Sequence, residues 1–247
     1  MDIKQYLDST YLKTAEQAGI SEAENRQVVV SAIVEAMAEN FKLVMIRPEM
    51  VKMAKELITA ANSKVSIGTV IDFPEGKGSL ENKLAEAEKA IVDGADDLDF
   101  VLDYEGFKAG KVDTVKEQVL QCTYLGLQND KIVKWIIEVA ALNDHEIVQL
   151  SALVKNVVLS NFEENKYSKV FVKSSTGFYK TRDGMPNGAT LSAIKLMLEN
   201  SFPLPVKAAG GVRTLQEAQQ MIALGVKRIG TSSAKSIADG SKAEGGY

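Results

Sequence analysis

Eight short β-rich runs recur along the chain, with helical stretches between them. They are "YLDST" (6–10), "KLVMIR" (42–47), "KVSIGTVID" (64–72), "DLDFVL" (97–102), "VKWIIEV" (133–139), "KVFVKS" (169–174), "PVKAA" (205–209) and "VKRIGT" (226–231). Strand alternating with helix implies parallel strands joined by right-handed crossovers. Eight such units in 247 residues match the usual size of a single (β/α)8 TIM barrel, whose active site lies at the carboxyl ends of the strands. The first and seventh runs are weak when read alone. An open doubly wound sheet is the competing arrangement; it would carry a glycine-rich turn after its first strand, and "YLDSTYLKTA" has none. No linker interrupts the pattern, so one domain is expected over 1–247. The last segment, "DGSKAEGGY", reads as a short flexible tail from about residue 239.

The helical stretches carry their own start and stop signals. "SEAE" (21–24) and "TLQE" (214–217) have the form of capping boxes, with a side-chain oxygen at the N-cap and Glu three residues on. Pro48 sits where a first helical residue belongs. Leu80, Leu84, Ala87 and Ile91 form one expected stripe, which Gly94 terminates. Leu191, Ile194 and Leu198 form another, ending before Pro203.

Composition removes several chemistries. The single cysteine, Cys122, rules out an intramolecular disulfide framework and any cysteine-based zinc site. The single histidine, His145, is expected on the surface in the first turn of a helix, so a multi-histidine metal site is excluded. A net charge of −4 argues against a general nucleic-acid binder. The run "IVKWIIEVAAL" is broken by Lys134 and Glu138 and is too short to span a membrane. The first ten residues hold no apolar core of a signal peptide, and a cytoplasmic protein is the simplest reading. Proton chemistry therefore falls mainly to Lys, Asp, Glu or Tyr.

Three charged residues fall at or near strand ends within apolar surroundings: Asp99, Lys173 and Lys207. Strand neighbours point to opposite faces. If Leu98 and Phe100 pack outward against helices, Asp99 faces the barrel interior with Asp97 and Val101. A buried carboxylate needs a partner, and a lysine on a nearby strand would supply one, either as a structural ion pair or as working machinery. Two interior lysines close together favour loss of one proton, through like charge and desolvation. A neutral lysine attacks carbonyl carbon and forms a Schiff base; the alternative is that each amine only reaches out from a strand end. "AAGGVRT" (208–214) and "IGTSSAKS" (229–236) then place Gly210, Gly211, Gly230, Ser232 and Ser233 after the last two strands, where barrels often bind phosphate. Tight-turn glycines are the alternative there.

At these residues the chain resembles the DeoC-type class I aldolases, the deoxyribose-phosphate aldolase family, nearly from end to end. "LDSTYLK", "GTVIDFPEG", "EAEKAIVDGADDLDFVLD", "FVKSSTGF", "VKAAGGVRT" and "RIGTSSA" are each similar to a family segment. The resemblance implies a barrel that needs neither metal nor organic cofactor. It implies reversible cleavage of 2-deoxy-D-ribose 5-phosphate to D-glyceraldehyde 3-phosphate and acetaldehyde. By motif match, Lys173 would form the Schiff base, Lys207 would perturb its pKa and relay protons, and Asp99 would join the relay. Gly210, Gly211, Ser232 and Ser233, with Gly177 and Gly230 beside them, would hold phosphate. Asp8 and Thr10 would line the pocket. The partners implied are phosphosugar and aldehyde substrates; family members occur as monomers, dimers and tetramers, so a homo-oligomer is compatible.

Some positions depart from the family. Met45 stands where relatives often carry cysteine, and Ser174 and Ala209 replace the commoner Thr and Ser. The loop 179–189 is longer than usual; Lys180 or Arg182 could reach the phosphate, although solvated loop charge is the simpler expectation. Tyr247, after Gly245 and Gly246, is expected to fold over the mouth and lend its hydroxyl to proton transfer. Two other functions stay open on the residues alone. A phosphosugar isomerase would want a Glu base and an electrophilic His, for which His145 is badly placed. A phosphosugar-binding protein without catalysis would not need the Asp99, Lys173 and Lys207 set.

Overall fold

The computed structural model describes residues 2–181 and 184–241. Its eight strands are Leu7–Thr10 (β1), Leu43–Ile46 (β2), Ser66–Ile71 (β3), Asp97–Val101 (β4), Ile132–Ile136 (β5), Val170–Lys173 (β6), Val206–Ala209 (β7) and Arg228–Thr231 (β8). Each pairs in parallel with the next, and β8 closes on β1 through Asp8 opposite Gly230. All the expected strands form, including the two weak ones, and closure replaces the open-sheet alternative. The fifth is shorter than its apolar run: after Ile136 the chain leaves the ladder for a 3-10 turn, Val139–Ala141.

The expected helix signals operate. Ser21 Oγ accepts from Glu24 N–H at 3.2 Å while Glu24 Oε2 accepts from Ser21 N–H at 2.9 Å, opening the helix Glu22–Glu39. Thr214 and Glu217 do the same for Leu215–Leu224. Pro48 begins a 3-10 turn that leads into Val51–Ala60, and Gly94 closes Leu80–Asp93 at φ 109°. The two apolar stripes are displaced from expectation. In Leu80–Asp93 the buried residues are Lys83, Ala87 and Ala90, with Leu80, Leu84 and Ile91 packed at the margin. In Leu191–Ser201 they are Ala193, Ile194, Met197 and Ser201, while Leu191 is exposed. That helix also packs along Asp144–Asn161, so its buried face is shared between barrel and neighbour.

Strand alternation separates two environments. Outward residues such as Val44, Leu98, Phe100, Trp135, Val172, Val206 and Ile229 join the helices in one apolar sheath. Phe100 stacks on Trp135 at 5.1 Å, and the indole N–H donates to Thr123 Oγ1 at 3.0 Å. Inward residues divide. Leu43, Met45 and Val70 pack with Leu12 as a small apolar cluster, and a set of charged side chains from β1, β4, β5, β6, β7 and β8 occupies another part of the interior. Outside the barrel, the fully buried Lys83 ion-pairs with Asp72 and donates to Gly76 O at 3.0 Å and Val101 O at 2.8 Å. It thereby ties the loop after β3 to the end of β4. Among the described residues no helix is long and apolar enough to cross a membrane.

Phe100→Ala should destabilise the fold by about 3–5 kcal/mol in urea unfolding followed by Trp135 fluorescence. Val92→Ala, at a side chain 85% exposed, should shift stability by less than about 0.5 kcal/mol. Equal effects would contradict the sheath as the source of stability.

Candidate active site

Strand register sets the charged side chains beside one another. Asp99 lies opposite Lys134 across β4 and β5, Lys173 opposite Lys207 across β6 and β7, and Lys207 opposite Arg228 across β7 and β8. All point inward and are buried. Lys134 Nζ donates to Asp97 Oδ2 at 2.6 Å and to Asp99 Oδ1 at 2.7 Å. Lys207 Nζ meets Asp99 Oδ2 at 3.0 Å and Asp8 Oδ2 at 2.6 Å. Arg228 Nε donates to Asp8 Oδ1 at 2.7 Å, and its Nη2 reaches Asp97 Oδ2 at 3.3 Å. These six residues form a closed ring in which every cation touches two carboxylates. Lys173 is the seventh member. Its Nζ donates to Asp99 Oδ2 at 2.8 Å, and among the described residues that is its one carboxylate partner.

Above Lys173 a cleft opens at the carboxyl ends of the strands. Lys173, Gly177, Gly210, Gly211, Gly230, Ser232 and Thr10 all border it. Asp99, Lys207 and Asp8 lie beneath, in the ring. Ser233 does not line the cleft; it is buried, and its backbone N–H donates to Thr231 Oγ1 at 3.0 Å. Gly210 and Gly211 are both left-handed, at φ 83° and 86°. A Cβ on Gly188 would lie 2.4 Å from Gly210 O, so the segment 187–189 folds onto the β7 turn through paired glycines, and Ala189 N–H donates to Gly210 O at 2.8 Å. Ser174 Oγ donates to Ala209 O at 2.8 Å and accepts from Ala209 N–H at 2.9 Å, stitching the turns after β6 and β7 together.

This chain matches the DeoC/LacD family aldolase model over residues 5–237. It belongs to that family. The deoxyribose-phosphate aldolase of Thermococcus gammatolerans is 35% identical over 243 residues, covering 98% of this chain and 97% of that protein. Deoxyribose-phosphate aldolase 1 of Staphylococcus aureus is 35% identical over 248 residues, covering all of both chains. Among solved structures, the tetrameric deoxyribose phosphate aldolase of Aeropyrum pernix is 25% identical. It superposes with a TM-score of 0.77 over 96% of this chain and 89% of that one.

In this DeoC/LacD family member the ring sets the protonation states. Burial alone would raise the Asp99 pKa, but Lys134, Lys173 and Lys207 together hold it well below the usual carboxylate range. Burial opposes a charged Lys134, and Asp97 and Asp99 overcome it, so its pKa rises. Lys173 goes the other way. Burial, with the charges of Lys207 and Lys134 behind it, outweighs Asp99 and pushes the amine down to about 8. Burial is the leading cause, and the neighbouring ammonium expected from the sequence is an additional one.

Lys180 is exposed and borders the neighbouring clefts, not the one above Lys173, as the simpler expectation of solvated loop charge has it. Arg182 and Tyr247 lie outside the described residues. From the same loop it is Asn187 that borders the Lys173 cleft, together with Arg213 after β7. Neither stands out in the sequence, because a loop amide and a residue next to a capping box have no pattern of their own. Lys134 and Arg228 also escape notice there as interior groups, although β-alternation with Trp135 and Ile229 marks both. His145 is exposed at the start of Asp144–Asn161 and does not line the cleft.

Because Lys173 titrates near 8 in the fold against an ordinary 10.5, the unfolded chain holds this proton more tightly between those values. The lysine therefore costs stability in full below pH 8, and the cost fades as pH rises to 10.5. Lys173→Leu should equal or exceed the parent in urea stability at pH 7, with the difference narrowing towards pH 10. Asp99→Leu, which strips partners from three buried cations, should lose about 3–5 kcal/mol. A reversed ranking would contradict the ring.

Proposed function

We propose that this protein is a class I aldolase that reversibly cleaves 2-deoxy-D-ribose 5-phosphate to D-glyceraldehyde 3-phosphate and acetaldehyde. The observation that carries this reading is a buried lysine amine with its pKa pushed down to about 8 at the floor of a cleft walled by glycine turns. An amine that is neutral for an appreciable fraction of the time near neutral pH adds to the open-chain aldehyde carbon. Loss of water gives a protonated imine. Removal of the C3 hydroxyl proton then breaks the C2–C3 bond, with its electron pair moving towards the imine. D-glyceraldehyde 3-phosphate departs and a two-carbon enamine remains on the lysine. Protonation of that enamine at carbon, followed by hydrolysis, releases acetaldehyde and restores the amine.

Lys173 is the nucleophile in this scheme. Asp99 Oδ2 touches both Lys173 and Lys207, so a proton can be handed between the two amines across one oxygen. Asp8, itself held by Arg228, anchors Lys207 from below. The turns at 177, 210–211 and 230–232 form the cradle for the substrate phosphate, with Thr10 beside it and Ser233 supporting from behind. Backbone N–H groups approach an anion closely where glycine leaves out the side chain. Met45 is fully buried in the interior and presents no thiol to a reactive aldehyde. An isomerase reading lacks a histidine at the cleft. The tetrameric relative supports a homo-oligomer, and the composition supports a cytoplasmic setting with no nucleic-acid partner.

Borohydride reduction in the presence of acetaldehyde should fix a two-carbon adduct on Lys173. Lys173→Leu should lose both the adduct and turnover, the latter by roughly a thousand-fold or more. An adduct confined to other lysines, or near-normal turnover in the variant, would reject the proposal.

A further inference from the structure

The chain immediately after β5 departs from regular geometry. Ile137 N–H donates to Lys173 O at 3.0 Å, so the ladder between β5 and β6 is still in register there. A regular ladder would next join Val139 N–H to the carbonyl of residue 175. Instead it donates to Ser174 O at 2.9 Å, one residue short. Glu138 is the residue bulged out between these bonds. It lies at φ 55° and ψ 68°, in the left-handed region that favours glycine, yet it carries a long acidic side chain and is 1% exposed.

That side chain turns onto the segment that follows Lys173. Glu138 Oε2 accepts from Thr176 N–H at 3.0 Å and also takes a short hydrogen bond from the Thr176 hydroxyl. Thr176 Oγ1 in turn accepts from Phe178 N–H at 3.0 Å, winding the turn around Gly177, which is left-handed at φ 80°. The Ser175 hydroxyl lies towards the same carboxyl group without meeting hydrogen-bond geometry, and Glu138 Oε1 has no hydrogen-bond partner among the described residues. Both Thr176 and Gly177 border the cleft.

We infer that Glu138 is a positioning residue for the aldol chemistry: by gripping Thr176 it fixes the turn that holds the Lys173 amine at its attacking position. This rests on the aldolase reading. Glu138 acts through Thr176 and is placed behind the turn. Of the three turns in the phosphate cradle only the one at Gly177 is tied to Glu138; the turns after β7 and β8 keep most of the phosphate contacts, so its loss should fall mainly on the chemical step and only slightly on substrate binding.

The test compares Glu138→Leu, Thr176→Val and the double variant in steady-state cleavage of 2-deoxy-D-ribose 5-phosphate, with the near-UV spectrum of Trp135 as the check on folding. Glu138→Leu, which leaves no acceptor for Thr176, should lower kcat at least five-fold and change KM by less than three-fold. The double variant should be no slower than the slower single one, because both substitutions break the same grip. A smaller fall in kcat, a loss carried mainly by KM, or losses that multiply in the double variant would overturn the inference. If Glu138→Leu does not accumulate folded, Thr176→Val decides alone by the same kcat and KM limits. Trapping of acetaldehyde on Lys173 in the parent protein tests the aldolase reading separately, so the two failures are distinguishable.

Discussion

Asp99 holds three ammonium groups on two oxygens, and the rest of the site follows from that crowding. One oxygen faces Lys134; the other faces Lys173 and Lys207. With Asp8, Asp97 and Arg228 the interior contains three carboxylates and four cations, all buried. Three cations bridge pairs of carboxylates and are matched. The fourth, Lys173, is surplus, with a single carboxylate to offset its burial. Giving up that proton leaves a balanced ring and a free amine at the cleft floor. Stability and reactivity are thus opposed at one residue, as is usual where a buried group is kept for chemistry.

The arrangement depends on the pleat. A residue that faces in is flanked by two that face out, so each charged group can be carried by a strand whose other face is largely apolar. Phe100 and Leu98 anchor β4 in the sheath while Asp99 enters the ring; Trp135 does the same for Lys134, Val172 for Lys173, and Ile229 for Arg228. A one-residue slip in any of these strands would put a charge into the sheath and a valine or aromatic ring into the network. Apolar packing therefore enforces the register on which the electrostatics rest. The loops are left with a narrower role. Two left-handed glycines after β7, the paired approach of Gly188 and Gly210, and the Ser174 stitch hold the walls of the cleft over a rigid floor.

Much of this is legible in the residues. The eight strand runs each place their apolar residues where the barrel buries them. Asp99, Lys173 and Lys207 stand out because a charge within an apolar strand needs a reason. Lys134 and Arg228 carry the same signal, but each is hidden by context: Lys134 looks like an interruption of an apolar run, and Arg228 sits beside Lys227 as an ordinary basic pair. Glu138 and Asn187 cannot be found in this way. The importance of Glu138 comes from a bulge, which depends on how two strands leave their ladder. That of Asn187 comes from the path of a loop set by contact between two glycines. Lys83 belongs with them, since a lysine beside an expected helical stripe gives no sign that it will clasp a loop carbonyl and a strand end.

Reactivity at the cleft floor turns on the charge of one amine, and titrating that amine tests it most directly. Protein labelled at lysine Cε can be followed by carbon-detected NMR from pH 6 to 11, with the Lys173 resonance assigned by its loss in Lys173→Leu. The expected result is a lysine that titrates near 8 and loses its proton before Lys134, whose pKa the ring raises. A Lys173 resonance that stays charged to pH 10 or beyond, or one that titrates after Lys134, would contradict it.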